Sequence, residues 1–289
     1  MTASPIDPAG AGYAELALAA VETAEEAGLE LRARRGRDLE VRSKRYRREL
    51  VTDADRASER IVVDRIRGRF PAHAVLAEEG ERTDAGRASS DSDWLWIVDP
   101  LDGTTNYVHG IPFYCVAVAV ALKGRVVAAA VHAPELGATY RAFAGGGAER
   151  NGARVRVSAC RDLADALLAT GFAYGRTEPG RDNNLGRLAA VLPRCGDVRR
   201  LGSAELDLCL VADGRFDAFW ELDLAPYDVA AGALMVQEAG GKVSDLAGGG
   251  NWLYGGTILA SNGALHEAML SAIEPSAHEF RRGRSPRVE

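Results

Sequence analysis

The sequence predicts an α/β fold in which sheets are covered by helices, and three observations carry that expectation. Leu16, Ala20, Ala24, Ala27 and Leu31 recur at helical spacing, as an amphipathic helix requires. Two apolar runs at 114–122 and 125–131 flank Lys123-Gly124 as a β-hairpin. Beyond residue 160, strand-like and helix-like segments alternate, the order expected of a sheet layered with helices.

A second helix is expected to start at Thr52, with Asp55 three residues on as its capping-box partner, and to run through Ile61 to Ile66. Residues 73–77 and 94–98 read as short buried strands ahead of the hairpin. The second half offers a strand near Leu167, a helix over 184–192, a strand over 198–201 and a helix over 203–211. A strand over 216–222 follows, then a helix over 226–238 that starts on Pro226 and stops at Gly240-Gly241. Asp228 would sit in the first turn of that helix.

The length of 289 residues permits one large domain or two fused halves, here about 13–150 and 151–273. A flexible N-terminus over 1–12 and a flexible basic tail over 274–289 are expected. With 47% hydrophobic and 26% charged residues the chain can bury a sizeable core, and a net charge of -6 argues against a surface devoted to nucleic acid. The longest apolar run, 113–122, is too short to span a membrane. No basic residue precedes an apolar stretch at the N-terminus, so the protein is expected in the cytoplasm. Cys115, Cys160, Cys195 and Cys209 lack zinc-site spacing and read as buried thiols in a reducing compartment.

The most informative stretch is Asp99-Pro100-Leu101-Asp102-Gly103-Thr104-Thr105, directly after an apolar strand. Pro100 keeps Asp99 extended and Gly103 permits a tight turn, so both carboxylates can point into one space beyond the strand. Hard cations such as Mg²⁺ want oxygen ligands of this kind, and Asp99 is placed to bridge two ions. The same residues also suit a plain turn. Glu78-Glu79 end another apolar run, where paired carboxylates repel unless a cation or water offsets them. Asp53, Asp55 and Asp228 fit helix starts, which the dipole alone explains.

Taken in order, four motifs resemble the inositol monophosphatase family of Mg²⁺-dependent, lithium-sensitive phosphatases. They are residues 50–55, Glu78-Glu79, residues 94–109, and Pro226-Tyr227-Asp228 with the glycines that follow. The resemblance spans about residues 14–273 and implies an alternating αβαβα layered sandwich, of the type shared with fructose-1,6-bisphosphatase, and a homodimer. It implies Glu78, Asp99 and the Leu101 carbonyl around a first Mg²⁺, and Asp99, Asp102 and Asp228 around a second. It allows a third, weaker ion at Glu78. It also implies that Thr104, with Asp55, positions the attacking water. The Gly103, Thr104 and Thr105 amides would hold the phosphate, with Gly202, Ser203, Ala204 and Glu221, beside Asp102, facing the polyol.

Residue chemistry is consistent with that implication. Phosphomonoester hydrolysis needs an activated water and neutralised phosphoryl oxygens, which paired cations supply without a side-chain nucleophile. Serine, histidine and cysteine do not cluster in the sequence, and His109 is expected to pack. Thr105-Asn106, where bisphosphate and histidinol-phosphate relatives carry a basic residue, favours the polyol monophosphate branch. Glu205 stands where relatives have a small residue: it either complements the helix dipole or reads an extra hydroxyl or amine on the substrate. Residues 32–48 hold nine Lys or Arg, and suit either a solvated hairpin or an active-site loop in which Lys44 approaches the metals. Some bacterial relatives moonlight in transcription or ribosome maturation, and that basic run is compatible with RNA binding.

The sequence therefore predicts a phosphatase of a small sugar or polyol monophosphate, inositol 1-phosphate first. The alternatives are a fructose bisphosphate, a nucleotide, histidinol phosphate or a pathway-specific sugar phosphate, or a role in binding RNA or the transcription machinery.

Overall fold

The computed structural model describes residues 12–36, 39–80 and 92–274. The expectations of flexible ends fall mainly on residues 1–11 and 275–289, outside the described residues, as do Arg37 and Asp38 of the basic segment.

The elements follow in chain order. Helix α1 (Tyr13–Arg34) is followed by the short hairpin β1 (Arg42–Ser43) and β2 (Leu50–Val51), then α2 (Asp53–Arg69), β3 (Ala74–Ala77) and β4 (Trp94–Asp102). A single turn and a half, α3 (Thr104–Val108), leads to a meander of β5 (Cys115–Leu122), β6 (Arg125–Ala133), β7 (Ala138–Phe143), β8 (Gly147–Arg150) and β9 (Ala153–Arg154). The second half contains β10 (Leu167–Thr170), α4 (Leu185–Val191), β11 (Asp197–Arg199), α5 (Ala204–Ala212) and β12 (Ala218–Leu222). It closes with α6 (Ala230–Glu238), β13 (Lys242–Ser244), β14 (Thr257–Ser261) and α7 (His266–Ile273).

Strands β3 to β9 form one seven-stranded sheet in chain order, parallel between β3 and β4 and antiparallel thereafter. The second sheet has the order β11-β10-β12-β14-β13, with β10 parallel to both neighbours. Helices α1 and α2 pack on the outer face of the first sheet, α5 and α6 lie between the sheets, and α4 and α7 cover the far face of the second. The result is the αβαβα layering that the resemblance implied.

Local chemistry explains the outer helices. The apolar stripe of α1 is buried from Leu16 to Leu31, and Leu31→Ala would cost about 2–5 kcal/mol through transfer and cavity terms. At Gly28 a methyl would lie 2.4 Å from His132 Cδ2, so glycine lets α1 approach β6 closely. Thr52 caps α2 as expected: Ala54 and Asp55 amides donate to its hydroxyl, and the Asp55 carboxylate accepts back from the Thr52 amide at 2.8 Å.

Three expectations need correction. Strand β4 does not stop at Val98 but continues through Asp102, with a register shift against β5 between Asp99 and Asp102. Residues 226–238 are not one helix: Pro226–Asp228 is a 3₁₀ turn, Val229 breaks it, and α6 starts at Ala230. Cys160 and Cys195 are only partly buried, unlike Cys115 and Cys209, although all four thiols are free. Strands β7 to β9, β13 and β14 had no counterpart in the sequence reading. Among the described residues no helix is long and apolar enough to cross a membrane.

Candidate active site

The carboxylates arrive from separate elements. Asp55 lies in the first turn of α2, Glu78 and Glu79 follow β3, Asp99 and Asp102 end β4, and Asp228 closes the 3₁₀ turn before α6. Because β3 and β4 are parallel neighbours, their carboxyl ends deliver Glu78 and Asp99 to the same edge of the sheet.

The end of β4 is held tightly. Leu101 donates its amide to Asp99 Oδ1 at 3.0 Å, and Ser58 donates its hydroxyl to the Pro100 carbonyl at 2.6 Å. Gly103 adopts φ 95° in the left-handed region, and a methyl there would lie 3.0 Å from the Phe113 carbonyl oxygen. The Thr104 hydroxyl lies 3.0 Å from Asp55 Oδ1 and 3.1 Å from the Leu101 carbonyl, so its proton has a choice of two acceptors. Asp55 Oδ2 is occupied by the Thr52 amide and hydroxyl. Asp228 Oδ2 accepts from the Ala225 amide at 2.6 Å, which replaces the helix-start role expected for it.

Electrostatics make this edge costly without a counter-charge. Burial, joined by the like charges of Glu78, Asp102 and Asp228, pushes the Asp99 carboxyl well above its ordinary range. Asp228 is raised for the same reasons, burial first and Glu78 next. Glu78 is raised by burial against the opposing pull of the Lys44 ammonium. Burial raises Asp55 to about 6, although hydrogen bonds from Thr52 oppose the shift. Lys44 Nζ sits 2.8 Å from Glu78 Oε1 and also pairs with Glu79, which brings one ammonium of the basic segment to this edge.

The residues fit a hard divalent cation in donor chemistry. The ligands proposed by the resemblance are all oxygen, and their mutual repulsion is what a cation relieves. Among the described residues no three such side chains are already closed around a common point, and Lys44 occupies Glu78 Oε1. A cation at Glu78 therefore competes with Lys44.

A cavity of about 160 Å³ opens beside this edge. It is lined by Glu78, Asp102 and Asp228 together with Gly202, Ser203, Ala204 and Glu221, so seven of the expected residues meet there. Glu221 fits because position 171 is glycine: a methyl there would lie 2.0 Å from its carboxylate. Asp99 and Leu101 lie behind the lining, almost wholly buried. Asp55, Gly103, Thr104 and Thr105 also stand outside it, and Thr105 is exposed.

Of the two readings left open for Glu205 the substrate-facing one falls, and the expectation that His109 packs fails. Glu205 does not face the cavity: its carboxylate accepts from the Ala231 amide at 3.1 Å and from the Gly232 amide, both at the start of α6. One residue along a helix turns a side chain by about 100°, which carries Glu205 away from the face shared by Ala204. His109 does not pack; it is exposed at the C-terminus of α3. Asn106 is a tether, its amide donating to the Phe113 and Leu201 carbonyls at 2.7 and 2.8 Å. Sequence reasoning missed Asp207, Arg200 and Tyr174, which also line the cavity. The spacing of Asp207, three residues after Ala204, was the signal that could have found it.

The chain is thus a five-layered α/β sandwich whose sheet edge gathers carboxylates around a small cavity. The profile of the inositol monophosphatase family matches residues 13–278, and the chain belongs to that family. It is 43% identical over 229 residues to the Nus factor SuhB of Pseudomonas aeruginosa, covering 79% of this chain and 84% of that one. It is also 43% identical over 225 residues to an inositol-1-monophosphatase of Rhizobium meliloti, covering 78% and 82%. Among solved structures, the extragenic suppressor protein suhB of Bartonella henselae superposes with a TM-score of 0.84 at 37% identity, covering 91% of this chain and 99% of that one. SaIMPase-II bound to inositol monophosphate gives 0.74 at 26% identity, covering 90% and 94%.

Proposed function

We propose that the protein hydrolyses the monophosphate ester of a small polyol or sugar, inositol 1-phosphate first, by attack of a water on phosphorus. The observation that carries this reading is the meeting of Glu78, Asp102 and Asp228 with Ser203, Ala204 and Glu221 in one cavity. The R. meliloti relative's name and the inositol monophosphate bound to SaIMPase-II support the same substrate class.

In this reading Glu78, Asp99 and the Leu101 carbonyl would hold one Mg²⁺, and Asp99, Asp102 and Asp228 would hold a second, with a weaker third site at Glu78. Bound Mg²⁺ neutralises phosphoryl oxygens and acidifies the attacking water. The chain's own work is orientation. Ionised Asp55 accepts the Thr104 proton, which leaves Thr104 Oγ1 free to accept from the water and aim its lone pair at phosphorus. Gly103, Thr104 and Thr105 amides hold phosphoryl oxygens, and Glu221 accepts from a hydroxyl of the leaving alcohol. As the P–O bond to that alcohol breaks, the attacking water forms the new P–O bond and gives up a proton, and the leaving oxygen takes up a proton from solvent water and departs as the alcohol. The four free thiols support a reducing, cytoplasmic setting, and a homodimer is the family expectation.

Phosphate release from a panel of esters, with Mg²⁺ and with a chelator, tests the reading. Release from inositol 1-phosphate that the chelator stops supports it. Metal-independent release, or none from any ester, overturns it. Preference for a fructose bisphosphate, a nucleotide or histidinol phosphate would move the substrate class within the same chemistry.

A second reading, binding to RNA or the transcription machinery, takes support from the Nus factor name of the P. aeruginosa relative. The structure gives it a narrow base. Arg32, Arg34, Arg35, Arg42 and Lys44 of the basic segment are each paired with carboxylates. Among the described residues of the segment, Arg45, Arg47 and Arg48 are the exposed remainder. Salt-sensitive RNA retention that survives Asp99→Asn would favour that role.

A further inference from the structure

The cavity holds a carboxylate that neither the metal ligands nor the water-positioning pair employs. Asp207 stands one turn beyond Ala204 on α5, so the two share the helix face that borders the cavity. The residue is 1% exposed, and its Oδ1 is buried with no hydrogen-bond partner among the described residues. Glu221 reaches the same cavity from β12, and the charged groups that face Asp207 are Glu221, Asp102 and Arg200.

An unpartnered carboxyl oxygen in a core is expensive, because folding strips its water and returns nothing. Native chains keep such groups where binding gains from them. Here the charge count says what is gained. Once Glu78, Asp99, Asp102 and Asp228 face cations, Asp207 and Glu221 remain as acceptors, with Glu49 and Asp223 also on the lining, against the guanidinium of Arg200. A second phosphate placed beside these acids finds one guanidinium to neutralise it, whereas a hydroxyl or ammonium supplies the donor that Asp207 Oδ1 lacks.

We propose that Asp207 is a specificity-determining residue whose carboxylate, beside Glu221, accepts a hydrogen bond from a hydroxyl or ammonium donor on the alcohol part of the substrate. It thereby selects monophosphates of polyols and amino alcohols over bisphosphates and nucleotides. The inference rests on the phosphatase reading above and adds to it the residue that sets substrate choice. Glu205, one position off that face, has its oxygens committed to α6 and takes no part.

The test compares the unsubstituted protein with Asp207→Asn, and with Asp207→Ser should the first variant fold poorly. With Mg²⁺, kcat/KM is measured for inositol 1-phosphate, phosphoethanolamine, phenyl phosphate and fructose 1,6-bisphosphate. The ratio of inositol 1-phosphate to phenyl phosphate should fall by about tenfold in the variant, chiefly through KM, the scale of one charge-assisted hydrogen bond. Phosphoethanolamine falling alone would assign the donor to an ammonium, and the inositol ester falling alone to a hydroxyl. The metal-free variant should melt at or above the unsubstituted protein, because an unpaired acid has been removed. A uniform change across all four esters, or a lower melting temperature with unchanged ratios, makes Asp207 structural and overturns the proposal. Calorimetry with myo-inositol and Mg²⁺ reads the same contact without turnover: binding weakened about tenfold by Asp207→Asn supports it, and equal or absent binding overturns it. If no ester releases phosphate yet that difference persists, the phosphatase reading fails and the donor site stands.

Discussion

The Ser203 hydroxyl donates to Asp102 Oδ2 at 2.6 Å and so ties the end of β4 to the start of α5. The same oxygen accepts the Glu205 amide at 2.8 Å, while Ser203 Oγ in turn accepts from the Leu206 amide as the helix cap. One carboxylate therefore joins the first sheet to the helices between the sheets, and its orientation is fixed before any ligand arrives. Ser203→Ala should raise the Mg²⁺ concentration for half-maximal activity by about 10–100-fold, the usual effect of losing a group that orients a metal ligand. A Mg²⁺ titration with an unchanged midpoint would remove Asp102 from the proposed ligands.

Asp99 is the most crowded acid at the site, facing Glu78, Asp102 and Asp228. Asp99→Asn should lower turnover by about 10³-fold, or ~4 kcal/mol of barrier. The metal-free variant should melt no lower than the unsubstituted protein, since a repelling charge is gone. Ordinary turnover at saturating Mg²⁺ would refute the bridging role.

The Asp55 carboxyl, raised by burial to about 6, must be ionised to accept the Thr104 proton. Below that value the protonated form accumulates, so kcat/KM should fall about tenfold per pH unit on the acid side of 6. Asp55→Asn should abolish most activity and flatten that limb. An acid limb near 6 that survives the substitution would assign it elsewhere.

How far these features were legible follows from the range of the forces involved. Thr52 with Asp55, and the left-handed turn at Gly103, are local patterns legible in single residues, whereas the extension of β4 through Asp102 depends on its pairing with β5 and was not read. The break at Val229 was not, because Pro226 suits a 3₁₀ turn as well as a helix, and Asp228 settles the matter by capping Ala225. Strands β13 and β8 are three and four residues long, below the length at which alternation gives a signal. Glu205 and Asp207 were told apart only by tertiary packing. The start of α6 comes close enough to capture the first, and a methyl at Gly232 would lie 2.7 Å from Glu205 Oε2. The cavity opens beside the second.

Lithium, a small monovalent cation, should compete with the second Mg²⁺ proposed for Asp99, Asp102 and Asp228 and slow product release, as the family expectation has it. Steady-state rates measured with Li⁺ at roughly tens of millimolar, the range suited to weak hard-cation sites, would check this. Rates indifferent to Li⁺ would argue against that second site.

Glu205 gives the clearest separation of a structural from a selective role. Its carboxyl is fully enclosed, raised to about 8 by burial and then by the charge of Asp102, and it still accepts the Ala231 and Gly232 amides. Those two amides belong to the first turn of α6, where backbone donors have no partner inside the helix. Removing the acceptor leaves both donors buried, so Glu205→Ala should destabilise the protein by about 1–3 kcal/mol. Glu205→Gln keeps one carbonyl oxygen and should recover part of that loss. Ratios of kcat/KM across an ester panel should stay within about twofold in both variants, because no oxygen of Glu205 reaches the cavity. Thermal melts read the first effect and the panel reads the second. A tenfold change in those ratios at unaltered stability would mean that the side chain faces substrate after all.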